Sequence, residues 1–447
     1  MKEARAAAST HAFWWSQFPP SLLRVSLVRL VGSIGAGGVL YLTPLVFHRA
    51  AFSASSITEG VALAAVAGTL GRFASGWLLD RGLRCSLPVL LAVLLAFAAD
   101  VQLIAAHTVT AYVRGQLLQG VAMGLYWPAI ELAVTATAGT LGSPRGYALA
   151  RTADALGIAI GALLGALLAA IGPLRGIYGI DLACLVVMGL LLLLAPLPPG
   201  RGAAVARARG AVQWGRWLPA LLPILLISVV ATAVPVLMQS ALPLDLVRGS
   251  LQRRALPEAS GALLIGGQLA LLLLIQWPLG RWLAERPVHV GLRLSLVAFA
   301  VGALLLAASG LSASAGLALV LLAQVPLSVG LAAFLPTATE AVVELSPPAH
   351  QGLAMALFSQ CFAVSAFAAP LVAGRLLDGQ GHGAGVWLLL LLAVLLSLPL
   401  VNGMATQQRR RLLAVLSGAS GDDDNLVDAP EVLYRLGPPA GGSDPLP

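Results

Sequence analysis

Gly71-Arg72-Phe73-Ala74-Ser75-Gly76-Trp77-Leu78-Leu79-Asp80-Arg81-Gly82-Leu83-Arg84 sets a run of small residues directly against an Asp-Arg-x-x-Arg turn, in a chain where charged residues make up only 10%. A second version, Gln276-Trp277-Pro278-Leu279-Gly280-Arg281-Trp282-Leu283-Ala284-Glu285-Arg286, follows 205 residues later. Trp-Leu-x-Asp-Arg is answered there by Trp-Leu-x-Glu-Arg, so the chain reads as two copies of one unit.

The 447 residues are 58% hydrophobic and their mean hydropathy is +0.89. That is too little charge to clothe a water-soluble globule of this size, and it predicts a protein of the bilayer. The net charge of +8 comes from arginines and the single Lys2. They are spread through short segments between apolar runs, which is a topology signal and not the clustered footprint of a nucleic-acid binder. Cys85, Cys184 and Cys361 are far apart in sequence and offer neither a disulfide framework nor metal-ligand spacing.

Apolar runs of about 20 residues fall at 22–47, 57–79, 87–106, 110–137, 147–171, 176–196, 218–241, 259–282, 289–309, 313–343, 351–376 and 385–403. The first is too long for a cleaved signal sequence and reads as a membrane helix. The expected fold class is all-α: twelve transmembrane helices in two six-helix parallel repeats. Basic residues concentrate in the even-numbered connections and termini, from Lys2 and Arg5 through Arg81, Arg84, Arg145 and Arg286 to Arg409-Arg410-Arg411. The odd-numbered connections hold Arg49, Arg175, Arg248, Arg253 and Arg254. Both termini are therefore expected in the cytoplasm. The expected divisions are a cytoplasmic N-terminus at 1–21, a six-helix bundle at 22–196, a cytoplasmic linker at 197–217, a second bundle at 218–403, and a cytoplasmic, largely disordered tail at 404–447 that includes Asp422-Asp423-Asp424. Segment 407–416 has the pattern of a short surface helix.

The duplication is supported elsewhere. Gly124 corresponds to Gly330 and Gly146 to Gly352, each at an offset of 206, and Pro128 and Pro336 follow the first pair. Because six crossings is an even number, the halves share one orientation in the membrane.

These residues resemble the major facilitator superfamily of secondary transporters over about residues 20 to 405. Gly76, Leu78, Asp80 and Arg81 match the cytoplasmic Gly-x-Leu-x-Asp-Arg-x-Gly-Arg-Arg signature of that family, although the turn is one residue short and Arg84 stands alone. Glu285 and Arg286 retain the second copy, and Pro336, Glu344, Pro347 and Pro348 fit the pattern between helices ten and eleven. Ala136 occupies the corresponding acidic position of the first half. Two patterns are similar to those of drug/proton antiporters: Gln119-Gly120 on helix four, with Arg114 two residues too early, and Gly157, Gly161 and Gly165 on helix five, with Ala162 where proline would stand. Gly-x-x-x-Gly is equally a signature of close helix packing.

The resemblance implies alternating access, with Gly76, Asp80, Arg81, Arg84, Glu285, Arg286 and Glu344 as a cytoplasmic gate. Gly76 would let helix two approach a neighbour closely, and Asp80 would face the positive end of another helix. Arg29, Arg72, Glu131, Arg151 and Asp154 lie roughly 6 to 13 Å from the cytoplasmic helix ends, and Arg114, Asp100 and Asp181 near the outer ends. Charge at such depth is costly unless paired or hydrated. Arg29, Arg72, Glu131 and Asp154 are thus candidates for proton coupling, or else a static salt-bridge layer.

Gln116, Gly120, Gly124, Trp127 and Glu131 share one face of helix four. In the family, helices one, four, seven and ten line the cavity, which makes Tyr41, Gln116, Tyr126, Trp127, Gln239 and Gln324 candidates there. So apolar a cavity favours a hydrophobic or amphiphilic solute. With Lys2 the only lysine, there is no phosphate loop ending in Gly-Lys, and no Gly-x-Ser-x-Gly elbow occurs. No cofactor or metal is expected. The reading is a monomeric, proton-coupled exporter of the plasma or inner membrane, with proton-coupled import of a metabolite as the alternative and an enzyme or channel as the competitor from another class.

Overall fold

The protein is described here by a computed structural model covering residues 18–138, 143–199, 214–346 and 351–416. The N-terminal segment 1–17, linker residues 200–213, Pro347, Pro348 and the acidic stretch Asp422–Asp424 lie outside the described residues, as does the side chain of Asp80.

Among the described residues the chain forms α1 (Pro20–Arg49), α2 (Ala54–Asp80), α3 (Ser86–Ile104), α4 (Val109–Thr137), α5 (Ser143–Ile171), α6 (Gly176–Leu194), α7 (Trp214–Ser240), α8 (Leu242–Arg248), α9 (Glu258–Ala284), α10 (Val288–Ser309), α11 (Gly316–Leu345), α12 (Gln351–Gln380) and α13 (Ala384–Leu416). Twelve are long and apolar enough to cross a membrane, in agreement with the twelve apolar runs. The protein is a multi-pass integral membrane protein. Two elements differ from expectation. The short α8 interrupts the connection after α7, and α13 continues unbroken to Leu416, so residues 404–416 extend the last helix.

Local chemistry sets the helix ends. Pro20 opens α1, where a missing N–H costs nothing. The Ser53 hydroxyl accepts from Ser56 N at 3.1 Å, and Thr108 does the same for Ala111 N at 3.2 Å. After α2 the chain turns through Gly82 at φ +78°, a left-handed conformation that glycine adopts without a Cβ penalty.

The two halves pack alike. α1 packs on α5 and α6, α2 on α4, and α3 on α4 and α6; correspondingly α7 packs on α12 and α13, α9 on α11, and α10 on α11 and α13. The halves meet along α2 with α12 and α5 with α9, again a related pair. In the first half the seams bring backbone against backbone. A Cβ on Gly120 would lie 2.1 Å from Ala64 O, one on Gly124 2.1 Å from Gly68 O, and one on Gly161 2.0 Å from Ile34 O. With lipid as apolar as the side chains, such close approach is what drives helix association. In the second half, glycines instead receive side chains, Phe299 at Gly330 and Leu327 at Gly302. Hydroxyls there stitch α7 to α12: Thr232 Oγ1 meets Ser365 Oγ at 2.9 Å, and Ser365 Oγ donates to Val229 O at 2.5 Å.

With an even number of crossings, both described chain ends lie at one end of the bundle, here the near end. At the far end the halves are tied together. Arg49 Nε, closing α1, donates to Glu258 Oε2 at 2.5 Å, and its Nη1 to Gly172 O at 2.7 Å. Asp378, closing α12, accepts from Ala54 N at 3.0 Å and Ser55 N at 2.7 Å, the free N–H groups of α2. Arg248 Nη2 lies 3.0 Å from Asp378 Oδ1. At the near end Trp77 and Trp277 are 54% and 71% exposed, and a Cβ on Gly76 or Gly280 would meet nothing within 4 Å.

The packing at these glycines yields a paired prediction. Gly124→Ala forces the α2–α4 seam apart and is expected to cost about 1–3 kcal/mol, as overpacking does. Gly76→Ala and Gly280→Ala meet open space and leave the thermal midpoint unchanged or slightly raised, since alanine exceeds glycine by up to about 1 kcal/mol in a helix. Thermal unfolding in detergent checks all three; equal effects would contradict the packing described.

Candidate functional site

The charged centre of the molecule is built on Arg29, whose side chain is fully buried nine residues into α1. Its Nη1 donates to Glu131 Oε1 on α4 at 3.0 Å, and its Nη2 to Asp154 Oδ2 on α5 at 3.3 Å. Ser33, one turn further along α1, donates to Asp154 Oδ1 at 2.5 Å. The guanidinium also lies 4.9 Å from the Trp127 ring centroid, close enough for a cation–π contact. Trp127 in turn packs edge-on against Tyr126, ring centroids 5.4 Å apart. Two carboxylates face one guanidinium, and they keep 27% and 15% exposure where Arg29 has none. The acids are therefore partly accessible where the base is not.

The structure divides the expected inner layer. Arg29, Glu131 and Asp154 come together. Arg72 is half-buried on α2 and Arg151 exposed on α5, and neither belongs to an ion pair among the described residues. α2 turns Gly68 and Gly71 to α4, where the backbone N of Arg72 also lies close to Gly124. The expected outer layer is also rearranged: Arg114 is exposed, while Asp100 and Asp181 are buried and meet each other.

The helix-four face divides as well. Gly120 and Gly124 are pressed against α2 and provide no room for a solute. Trp127 and Glu131 turn toward Arg29, and Gln116 is buried. Gly157, Gly161 and Gly165 of α5 all pack on α1. Of the remaining cavity candidates, Tyr41 is buried and lies near the Gln239 side chain of the other half. Gln324 Nε2 turns back to Val320 O of its own helix at 2.9 Å. The Tyr126 hydroxyl is buried without a partner among the described residues.

At the expected gate, Arg81 stacks 3.6 Å over the Trp77 ring and Arg286 3.6 Å over Trp282, four residues back on the same helix in each copy. Arg286 Nη1 also donates to Trp282 O at 2.9 Å. Arg84, Glu285 and Glu344 are exposed. The turn is held from below, with Cys85 N donating to Pro198 O at 2.9 Å and Leu197 N to Ser86 Oγ at 2.6 Å. Gly76 makes no close approach; Gly68 and Gly71 do. The acid on a helix N-terminus that is expected of Asp80 is made at the far end by Asp378. Asp378, Glu258 and Ser33 are functional candidates that the sequence reading missed. Arg49 and Arg248 entered it only as topology markers. Ser33 alone carried a signal, four residues after Arg29 on one helix face.

A family model, the Major Facilitator Superfamily, matches residues 25–292. The chain belongs to the major facilitator superfamily. It is thus a secondary transporter with the fold of that family and not an enzyme. No curated protein sequence matches the chain. Similar solved structures include a POT family transporter in complex with 5-aminolevulinic acid, at 12% identity over 86% of this chain and 97% of that one, TM-score 0.72. The nucleoside transporter NupG is similar at 14% identity over 86% and 99%, TM-score 0.70. The peptide transporter POT in complex with sulfate shows 13% identity over 90% and 98%, TM-score 0.71. At these identities the likeness is one of fold.

Removing Arg29 leaves two partly buried carboxylates without a counter-charge. Arg29→Ala is expected to destabilise the bundle by about 3–5 kcal/mol, and adding Glu131→Gln and Asp154→Asn to recover much of the loss, read as thermal midpoints. Burial pushes the Cys85 thiol up to about 11, so little thiolate forms at neutral pH. A maleimide is accordingly expected to reach Cys85 only after denaturation, as measured by mass shift.

Proposed function

We propose that this transporter is a monomeric, proton-coupled exporter of a small hydrophobic or amphiphilic compound in the plasma or inner membrane. The observation that supports coupling is Arg29 between Glu131 and Asp154: two carboxylates share one guanidinium inside the membrane layer, and both stay partly accessible where Arg29 is not. As access alternates, water reaching Glu131 and Asp154 from one side and then the other would load and release a proton. Trp127 offers the substrate an apolar ring beside the same carboxylates.

Export is supported by the antiporter-like Gln119-Gly120 and by the apolar composition of the lining helices. The arginine distribution assigns the near end to the cytoplasm. That end is where α2 and α9 hold exposed tryptophans while the opposite end is tied, an arrangement suited to loading from the cytoplasm. The gate would then re-form around Asp80, Arg81, Glu285 and Arg286 as Asp378 releases α2.

Transport into inside-out and right-side-out vesicles under an imposed pH gradient tests this reading. Uptake into inside-out vesicles with an acidic lumen is expected, and Glu131→Gln or Asp154→Asn is expected to lower gradient-driven uptake by about tenfold, equivalent to 1.4 kcal/mol. Variants that behave like wild type would leave the cluster as a static bridge joining α1, α4 and α5. Gradient-driven uptake only into right-side-out vesicles would make the protein an importer.

A further inference from the structure

Asp100 on α3 and Asp181 on α6 are 0% and 2% exposed, and the two carboxyls stand within hydrogen-bonding reach of each other. Ionised carboxylates are acceptors only. Both oxygens of Asp100 accordingly lack any donor among the described residues. The ion pairs among the described residues include neither aspartate. A Cβ on Gly35 of α1 would lie 1.9 Å from Asp181 Oδ1, so the cradle exists only because that residue is glycine.

Among the described residues the surroundings offer no free positive charge. On α6 the neighbouring titratable groups are Tyr178, whose hydroxyl is shared with Thr43 Oγ1 at 3.1 Å, and Cys184. Arg175 is engaged with the carbonyls of Ile104 and Ala106, the latter at 2.8 Å. On α4, packed against α3, Arg114 is exposed. On α1 and α5, Arg29 and Asp154 are bound to each other.

The position is as telling as the chemistry. Gly35 is two residues along α1 from Ser33, which holds Asp154. Two residues are about 200° of turn and about 3 Å of rise, so the two acid sites flank α1 on opposite sides at nearly one depth.

We propose that Asp100 and Asp181 form a second proton-binding site, separate from the Arg29 cluster, in which one carboxyl keeps its proton and donates it to the other. Where Arg29 supplies the compensating charge for Glu131 and Asp154, here only a proton can, because an isolated ionised pair at this depth costs several kcal/mol. The proton occupies the O–H of one aspartate and bridges to an oxygen of its partner, tying α3 to α6 behind α1. The inference does not depend on the direction or coupling of transport.

Infrared spectroscopy of the purified full-length protein in lipid nanodiscs tests it. A protonated-carboxyl absorption is expected to persist in wild type at about pH 8, well above the ordinary aspartate range. It should shift on heavy-carbon labelling of aspartate and vanish in both Asp100→Asn and Asp181→Asn. Glu131→Gln and Asp154→Asn should retain it. Labelling aspartate in the Asp154→Asn variant removes the other membrane aspartate argued to take a proton, so this arm decides the matter even if Asp100→Asn or Asp181→Asn fails to fold. Absence of the absorption at that pH, its failure to shift with labelled aspartate, or its persistence in both Asn variants would overturn the proposal. So would its loss on adding sodium, which would put a metal cation in place of the proton.

Discussion

A guanidinium with no exposure inside a membrane helix must find carboxylates, and the amino-terminal half is arranged around that requirement. Arg29 draws one acid from 102 residues away and another from 125 residues away, joining α1 to α4 and α5. Its bonds fix the rotation of α1 about its axis. Once Arg29 and Ser33 face α4 and α5, Gly35 has to face α6, where it admits Asp181. Gly37, lying against the backbone of Ile158, completes the fit to α5. One buried charge thus sets what every side of this helix can touch.

The duplicated halves reuse one set of helix pairings with different chemistry. In the first half glycines bring backbones into contact, leaving side-chain positions for charge. In the second half glycines accept Phe299 and Leu327, and hydroxyls of Thr232 and Ser365 provide the polar ties. Titratable pairs within the membrane therefore concentrate in the first half. At the far end the second half contributes a different element. Asp245 accepts from Gly383 N and Trp387 Nε1, both at 3.0 Å, and pairs with Arg253 at 3.1 Å. This anchors α8, which places Arg248 against Asp378. The same end then joins the halves through Asp378 and Glu258, whereas the signature arginines at the near end stack on tryptophans of their own helices.

Much of this was legible before any coordinates. Twelve apolar runs, the offset between residues 77–81 and 282–286, and the layer holding Arg29, Glu131 and Asp154 follow from hydropathy, repetition and the cost of charge in lipid. Gly124 and Gly330 hold like places in the sequence repeat, yet one receives a backbone carbonyl of α2 and the other a phenyl ring of α10. Nothing in the local sequence distinguishes those two uses. Counting along the helices places Arg114, Asp100 and Asp181 together near the outer ends, but Arg114 is exposed while the two aspartates are buried. A helix apolar on all sides carries little record of which side faces which neighbour.

The chain's own pattern was therefore sufficient for the number of crossings, the duplication, the family resemblance and the list of charges that cannot face lipid. Each of these depends on composition along the axis. Which charges meet depends on rotation about the axis, and that rotation is set between helices, by the close glycine contacts together with the Arg29 bonds. Those contacts made Arg29, not Arg72, the centre of the inner layer. They also left Asp100 and Asp181 with only each other.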